Sequence, residues 1–295
     1  MPTPDPILGT PPPRRSEIIK GICCCPRCRG PLSWHAETCV CSVCHQAFRR
    51  GDGKIYFQSD PGEISREAAD NLARLAPCGP AAALINQARR IITSQYQPCR
   101  HLARALDRIR PDQIVVECGS GSRRLSENVI NMDLHPFGEV DLVGDIRQLP
   151  FNDRTVDVII LDTVLEHLDQ PQRCVDEARR ALKPGGQVIC VTPFIFPYHA
   201  YPKHYWNFSE DGLRYLFRHF SRVAIETDMG PTSALINLLT EYAALAFQGT
   251  AGRRYLLLKG LALVFLFPFK YLDRFWCRSD KARRMAMCLL ALAEK

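Results

Sequence analysis

Two periods of hydrophobic and polar positions divide the chain. Over 64–110, apolar residues recur at helical spacing among polar ones, with Pro77, Gly79 and Pro80 interrupting the pattern and Pro111 closing it. Beyond Pro111 the pattern changes to short β-branched runs, and 113–118, 129–133, 140–143, 156–161 and 187–192 each read as a strand. Between the last two, the stretch from Pro171 to Leu182 places Cys174, Val175, Ala178, Ala181 and Leu182 on one helical face, and Lys183-Pro184-Gly185-Gly186 ends it. Alternation of this kind predicts a doubly wound, mostly parallel α/β sheet.

The last third has a different pattern. Leu235, Leu238, Leu239, Tyr242 and Leu245 repeat at helical spacing, and 260–269 is free of charge, flanked by Arg253, Arg254, Lys259, Lys270, Arg274 and Arg278 with Tyr271 and Trp276 nearby. A run this short cannot span a bilayer, so it is either a core-packing helix pair forming a substrate lid or an interfacial anchor.

Composition and charge narrow the classes. With 46% apolar and 23% charged side chains, 295 residues suffice for one core domain and a smaller module. The net charge of +7 is uneven: 1–60 holds eight Lys/Arg against five Asp/Glu, 230–295 ten against four, and the middle twenty against twenty-two. The central domain is therefore no generic polyanion binder, and affinity for phosphate or anionic lipid belongs to the ends. The proline-rich stretch 1–18 reads as a disordered leader without an export signal, which points to the cytosol or to the inner face of the membrane as a peripheral protein.

Seven of the fourteen cysteines lie between Cys23 and Cys44. Cys25-Pro-Arg-Cys28 and Cys41-Ser-Val-Cys44 form two knuckles whose spacing lets four thiolates converge tetrahedrally on structural Zn²⁺. Cys23, Cys24, Cys39 and His45 are neighbours able to substitute. Four thiolates leave no open position for catalysis. The stretch 25–57, with Cys-Pro-x-Cys-x-Gly-x-Leu, the second knuckle and Gly51-Asp52-Gly53-Lys54-Ile55, resembles the small zinc-ribbon activator subunit of tRNA and protein methyltransferases.

In doubly wound sheets, ligands bind beyond the carboxyl ends of the strands, where a glycine turn lets backbone approach and a helix N-terminus follows. Val-Val-Glu117-Cys-Gly119-Ser-Gly121, Asp133, the run Gly144-Asp145-Ile146, the strand ending in Asp162 with Glu166-His167 behind it, and Leu182 to Gly186 resemble in order and spacing the class I methyltransferases over about 112–230. The resemblance implies a seven-stranded Rossmann-like sheet and S-adenosyl-L-methionine as cofactor. It implies that Glu117, Gly119 and Gly121 hold the methionine end, Asp133 the ribose hydroxyls, Asp145 and Ile146 the adenine, and that Asp162 and Thr163 border the methyl group. The loop departs from the fullest family pattern at Ser122, where a third glycine is common, and at Cys118. The family sheet also requires a last antiparallel strand, for which 287–293 is suited. The expected organisation is a leader at 1–18, a ribbon at 19–59, a helical linker or lid at 60–110, a core at 111–231 and 283–295, and an apolar insertion at 232–282.

Methyl transfer requires an aligned acceptor and, for a hydroxyl, removal of a proton. His167 and His204 are the candidate bases, with His199 and Tyr205 near them at the same rim. His204-Tyr-Trp-Asn-Phe-Ser209 is similar to a segment of bacterial methyltransferases often encoded with polysaccharide and lipid biosynthesis genes, with Ser209 as a helix cap. The expected partner is a small-molecule, glycan or lipid-linked acceptor, with peripheral membrane contact through 235–276. RNA is the alternative, disfavoured by the acidic centre and by the lack of a basic aromatic run, and a non-catalytic scaffold is the second alternative.

Overall fold

The computed structural model describes residues 13–58, 91–97, 101–199, 203–245 and 253–295. Most of the expected helical linker, 59–90 and 98–100, lies outside the described residues, as does the leader up to residue 12.

Strands β5 (Val115–Cys118), β6 (Val129–Asp133), β7 (Leu142–Val143), β8 (Val156–Asp162) and β9 (Leu182–Pro193) are parallel neighbours in the order β7-β6-β5-β8-β9. Beyond β9 come β11 (Cys288–Glu294), antiparallel to it, and then β10 (Arg222–Met229), antiparallel to β11. The last strand in sequence is thus inserted between β9 and β10, which completes the methyltransferase Rossmann-like sheet of seven strands.

Alternate residues face opposite cores. Val116, Ile130, Ile159, Leu161, Val188 and Cys190 lie in one cluster, and Val115, Val129, Val158, Ile160, Ile189 and Val191 in the other. Burial on both faces explains why these strands read as continuous apolar runs. Helix Pro171–Ala181 covers the first face through Cys174, Val175, Ala178 and Ala181, all 0–1% exposed.

Two expectations need correcting. First, 13–18 is not disordered: a helix runs over Pro13–Ile22, because Ile19 and Ile22 bury their side chains in the first core. Second, no helix follows the glycine turn. The connection from β5 to β6 is an irregular loop over 119–128, braced by Arg124, which donates to the carboxylate of Glu139 (2.8 Å), the carbonyl of Val129 (2.8 Å) and Asp141 (3.2 Å).

The ribbon is a part of the sheet rather than a bead before it. Its strands β1 (Leu32–Trp34), β2 (Thr38–Cys41), β3 (Ala47–Gly51) and β4 (Lys54–Tyr56) form an antiparallel meander, and β4 pairs parallel to β7 to make eleven strands in all. Phe48, Ile55 and Phe57 share a cluster with Met132, Leu142, Ile146 and Leu149, so the module and the core bury one apolar surface.

The insertion is helical: Pro231–Leu245, Arg253–Leu266, the 3-10 turn Phe267–Leu272 and Asp273–Trp276. Its first helix packs on the core through Ala234 and Ile236, whereas the segment after it is open. Leu257, Leu261, Val264, Phe265, Phe269, Phe275 and Trp276 are all 46–75% exposed. Among the described residues, no helix is long and apolar enough to cross a membrane.

Candidate functional site

The parallel strands all end on one rim. Since β10 is antiparallel to β11, and β11 to β9, β10 runs with the parallel set, and its end at Met229 opens onto that rim too. Glu117, Asp133 and Asp162 stand at or next to the ends of β5, β6 and β8.

Glu117 is fully buried, and its Oε2 has no partner among the described residues. Burial pushes its carboxyl pKa up, against the pull of the Arg123 guanidinium. Arg123 donates to Glu117 Oε1 (2.7 Å) and to Asp162 Oδ2 (2.6 Å), bridging the two acids across the glycine turn. The glycines at 119 and 121 are two apart, so the next position in their series is 123, not 122. An arginine stands there, the site residue the sequence reading missed.

Gly119 has φ 77° and no space for a side chain, since a Cβ there would lie 2.5 Å from Val164 Cγ2. Gly121 has φ 59° but open space beside it, so only its backbone conformation favours glycine. Its N–H donates to Asp133 Oδ2 (2.9 Å), and the N–H of His135 donates to Oδ1 (2.9 Å). Asp133 is thereby oriented at the turn, and each carboxylate oxygen keeps a lone pair for a further donor.

On the side expected to meet adenine, Asp145 is paired within its own loop. Both oxygens of Asp145 are taken by Arg147, through Nε (3.0 and 3.1 Å), Nη2 (2.8 Å) and its backbone N–H (2.8 Å). Ile146 is 6% exposed. Thr163 follows Asp162 with φ 54°, an unusual conformation for a β-branched residue, and is exposed at the rim.

The two candidate bases differ. His204 uses both ring nitrogens: Nδ1 accepts from the N–H of His199 (3.3 Å), and Nε2 meets the carbonyl of Trp206 (2.9 Å). Burial, then His199, lower its pKa. His167 instead sits beside buried Glu166 and His199, and its Nδ1 meets the carbonyl of Lys203 (2.6 Å). Ser209 caps helix Glu210–Leu216 by accepting from the N–H of Gly212.

In the ribbon, the sulfurs of Cys25, Cys28, Cys41 and Cys44 lie within 4.8 Å of one another. The pairs Cys25–Cys44 and Cys28–Cys41 are at 3.7 and 3.4 Å, near the edge of about 3.8 Å expected for thiolates around tetrahedral Zn²⁺. The N–H groups of Val43 and Cys44 donate to Cys41 Sγ (3.4 and 3.5 Å). Burial opposes the Cys41 thiolate, but these donors bring its pKa down to about 6. Cys23, Cys24, Cys39 and His45 fall outside this cluster.

Comparison with known proteins bears on the central segment. Residues 118–190 match the family model for a methyltransferase domain. An uncharacterized 37.1 kDa protein in transposon TN4556 of Streptomyces fradiae is 40% identical over 72 residues, 24% of this chain and 19% of its own length. The phosphatidylethanolamine N-methyltransferase of Cereibacter sphaeroides is 34% identical over 71 residues, 24% of this chain and 34% of its own. The chain thus spans about a fifth to a third of the length of these relatives. A solved complex that includes the Haloferax volcanii Trm112 methyltransferase activator aligns at a TM-score of 0.43 and 18% identity, covering 79% of this chain and 97% of that one.

Proposed function

We propose that the chain transfers a methyl group from S-adenosyl-L-methionine to a small-molecule, glycan or lipid-linked acceptor presented at a membrane surface. The observation that carries the reading is the convergence of Glu117, Gly119, Asp133 and Asp162 at the ends of adjacent strands, with a buried carboxylate oxygen of Glu117 unpartnered. An ammonium group suits that oxygen, and ribose hydroxyls suit Asp133. Arg123, which holds Glu117 Oε1, would be placed to meet the cofactor's carboxylate while Oε2 takes the ammonium. Ile146 contributes adenine contact through backbone and side chain rather than through Asp145, whose carboxylate Arg147 occupies. The four ribbon cysteines hold structural Zn²⁺. At the acceptor side, His167, grouped with Glu166 and His199, takes precedence over His204, whose nitrogens are spent on backbone.

The lipid-surface part rests on the insertion. Its first helix begins two residues past the end of β10, at the rim, and its exposed apolar residues are accompanied by the exposed Arg274 and Arg278. An acceptor with a lipid tail would find apolar surface beside the reacting end.

Calorimetry with S-adenosyl-L-methionine tests the enzyme reading: binding is expected, and Asp133→Ala should weaken it by at least about tenfold, roughly the 1.4 kcal/mol equivalent to a lost charge-assisted hydrogen bond. Absence of binding by the folded protein removes the reading. Flotation with anionic vesicles tests the second part, where paired Phe265→Glu and Trp276→Glu substitutions should abolish recovery in the lipid fraction.

A further inference from the structure

Glu166, His167 and His199 stand together at the acceptor rim. Glu166 lies in the 3-10 turn Leu165–His167 immediately past β8, and His199 follows β9. The Glu166 side chain is completely buried, yet neither of its carboxylate oxygens has a hydrogen-bond partner among the described residues. A buried carboxylate left in that condition is disfavoured by desolvation unless a further group satisfies it. Its Oε1 faces His167 Nε2 at 3.8 Å and His199 Nε2 at 3.9 Å.

The other nitrogen of each ring decides what these atoms are. His167 Nδ1 is 2.6 Å from the carbonyl of Lys203, and His199 Nδ1 is 3.2 Å from the carbonyl of Pro197. A carbonyl only accepts, so both Nδ1 atoms carry a proton, and in that tautomer each ring's lone pair lies at Nε2. The carboxylate and the two Nε2 atoms then converge on one point with no hydrogen bond among them. Were either ring doubly protonated, its Nε2–H would still be too far from Oε1 for a hydrogen bond. A cation resolves the arrangement. Since the three ligand atoms lie within 4.8 Å of one another, a point roughly 2.2–2.5 Å from all three exists, within a small relaxation of ordinary metal–nitrogen and metal–oxygen distances. Histidines that donate Nδ1–H to backbone carbonyls while offering Nε2 show the outer support usual for metal ligands.

We propose that Glu166, His167 and His199 form a site for a divalent cation of the Mn²⁺, Fe²⁺ or Zn²⁺ class. Two imidazoles and one carboxylate on one side leave positions open on the other, toward the rim: His167 and His199 side chains are 17% and 32% exposed. The fitting acceptor is one with two neighbouring oxygens, such as a vicinal diol or a hydroxyl beside a carbonyl. The cation would hold that pair and lower the pKa of the hydroxyl to be methylated; with the cation bound, His167 acts as a ligand in place of a base, and the proton leaves to solvent. The binding site stands on the geometry alone; its part in methyl transfer rests on the function proposed above.

The test is Mn²⁺ titration of the whole protein, followed by electron paramagnetic resonance of the free ion, with the ribbon cysteines loaded as purified. Mn²⁺ prefers oxygen and nitrogen ligands and does not compete for four thiolates. One tight Mn²⁺ per chain is expected. Affinity should fall more than tenfold in Glu166→Gln and in His199→Ala and stay unchanged in Asp133→Asn. The partly exposed His199 provides the variant that keeps the fold if Glu166→Gln does not, and circular dichroism checks both. Wild-type Mn²⁺ affinity in folded His199→Ala, or no binding by the parent protein, overturns the site. Calorimetry with S-adenosyl-L-methionine on the same samples separates the two ideas: cofactor binding without Mn²⁺ binding removes this inference alone, and Mn²⁺ binding without cofactor binding removes the proposed function alone.

Discussion

Arg123 shows how one substitution in a loop changes a site. A glycine there would leave Glu117 and Asp162 facing each other across the turn, whereas the guanidinium joins them. Asp228 is a second such residue. At the end of β10 it is 1% exposed, accepts from Gln97 Nε2 (2.8 Å), and has an unpartnered Oδ1. Burial pushes its pKa up from 3.8 to about 6, against the Gln97 hydrogen bond. A carboxyl whose folded pKa is raised favours folding in its neutral form. Its relative stabilisation is complete below about pH 4 and is lost as pH rises through about 6. Asp228→Asn should therefore raise Tm at pH 7.5, by the equivalent of up to about 3 kcal/mol, and the gain should vanish near pH 4. Thermal unfolding of both proteins across that window measures it; a pH-independent difference would show that charge burial is not the cause.

At the scale of elements, helix Pro231–Leu245 begins without a side chain of its own to cap it, because Gly230 precedes Pro231. The cap comes from Asp273, far along the chain. Its carboxylate accepts the N–H groups of Thr232 (2.7 Å) and Ser233 (2.9 Å) and the hydroxyl of Ser233 (2.7 Å), and it is fully buried. Gly230 is glycine for this reason, since a Cβ would lie 2.4 Å from Asp273 Cγ. Asp273→Ala should cost about 1–3 kcal/mol, from the lost cap and the donors left buried. Denaturant unfolding reads the cost, and proteolysis should then cut first in the insertion. A loss within error of zero would mean that water replaces the carboxylate.

For the whole molecule, the ribbon's attachment to the sheet predicts coupling between metal and cofactor. The N–H groups of Ile55 and Phe57 donate to the carbonyls of Asp141 and Val143 (3.0 and 2.8 Å), and that of Cys24 donates to Pro150 (2.9 Å). Met132, the neighbour of Asp133, shares a cluster with Phe57. Stripping the Zn²⁺ proposed for the ribbon with a strong chelator, or Cys41→Ser, should lower Tm by several degrees, because metal binding is folding energy for a module with so small a core of its own. Affinity for S-adenosyl-L-methionine should fall with it. Scanning calorimetry and cofactor titration on the same samples check this; a lower Tm with unchanged cofactor affinity would confine the ribbon to a structural role.

The strand runs, the helix Pro171–Ala181 and the paired cysteine knuckles were legible in the residues, because each depends on neighbours within a few positions: apolar runs of β-branched residues, one apolar helical stripe, ligand pairs on a tight turn; the final strand was expected only from the family resemblance. Association across the chain was not legible. Nothing near Arg123 announces Asp162 as its partner, nothing in Cys25 to Phe57 shows that β4 extends the sheet at β7, and His199 joins Glu166 and His167 only because β8 and β9 end side by side. Local sequence determines which faces are apolar and where the chain must turn. Which of those faces and turns meet is decided by how the layers close over a shared core, and the charges and lone pairs that do the chemistry are brought together at that step.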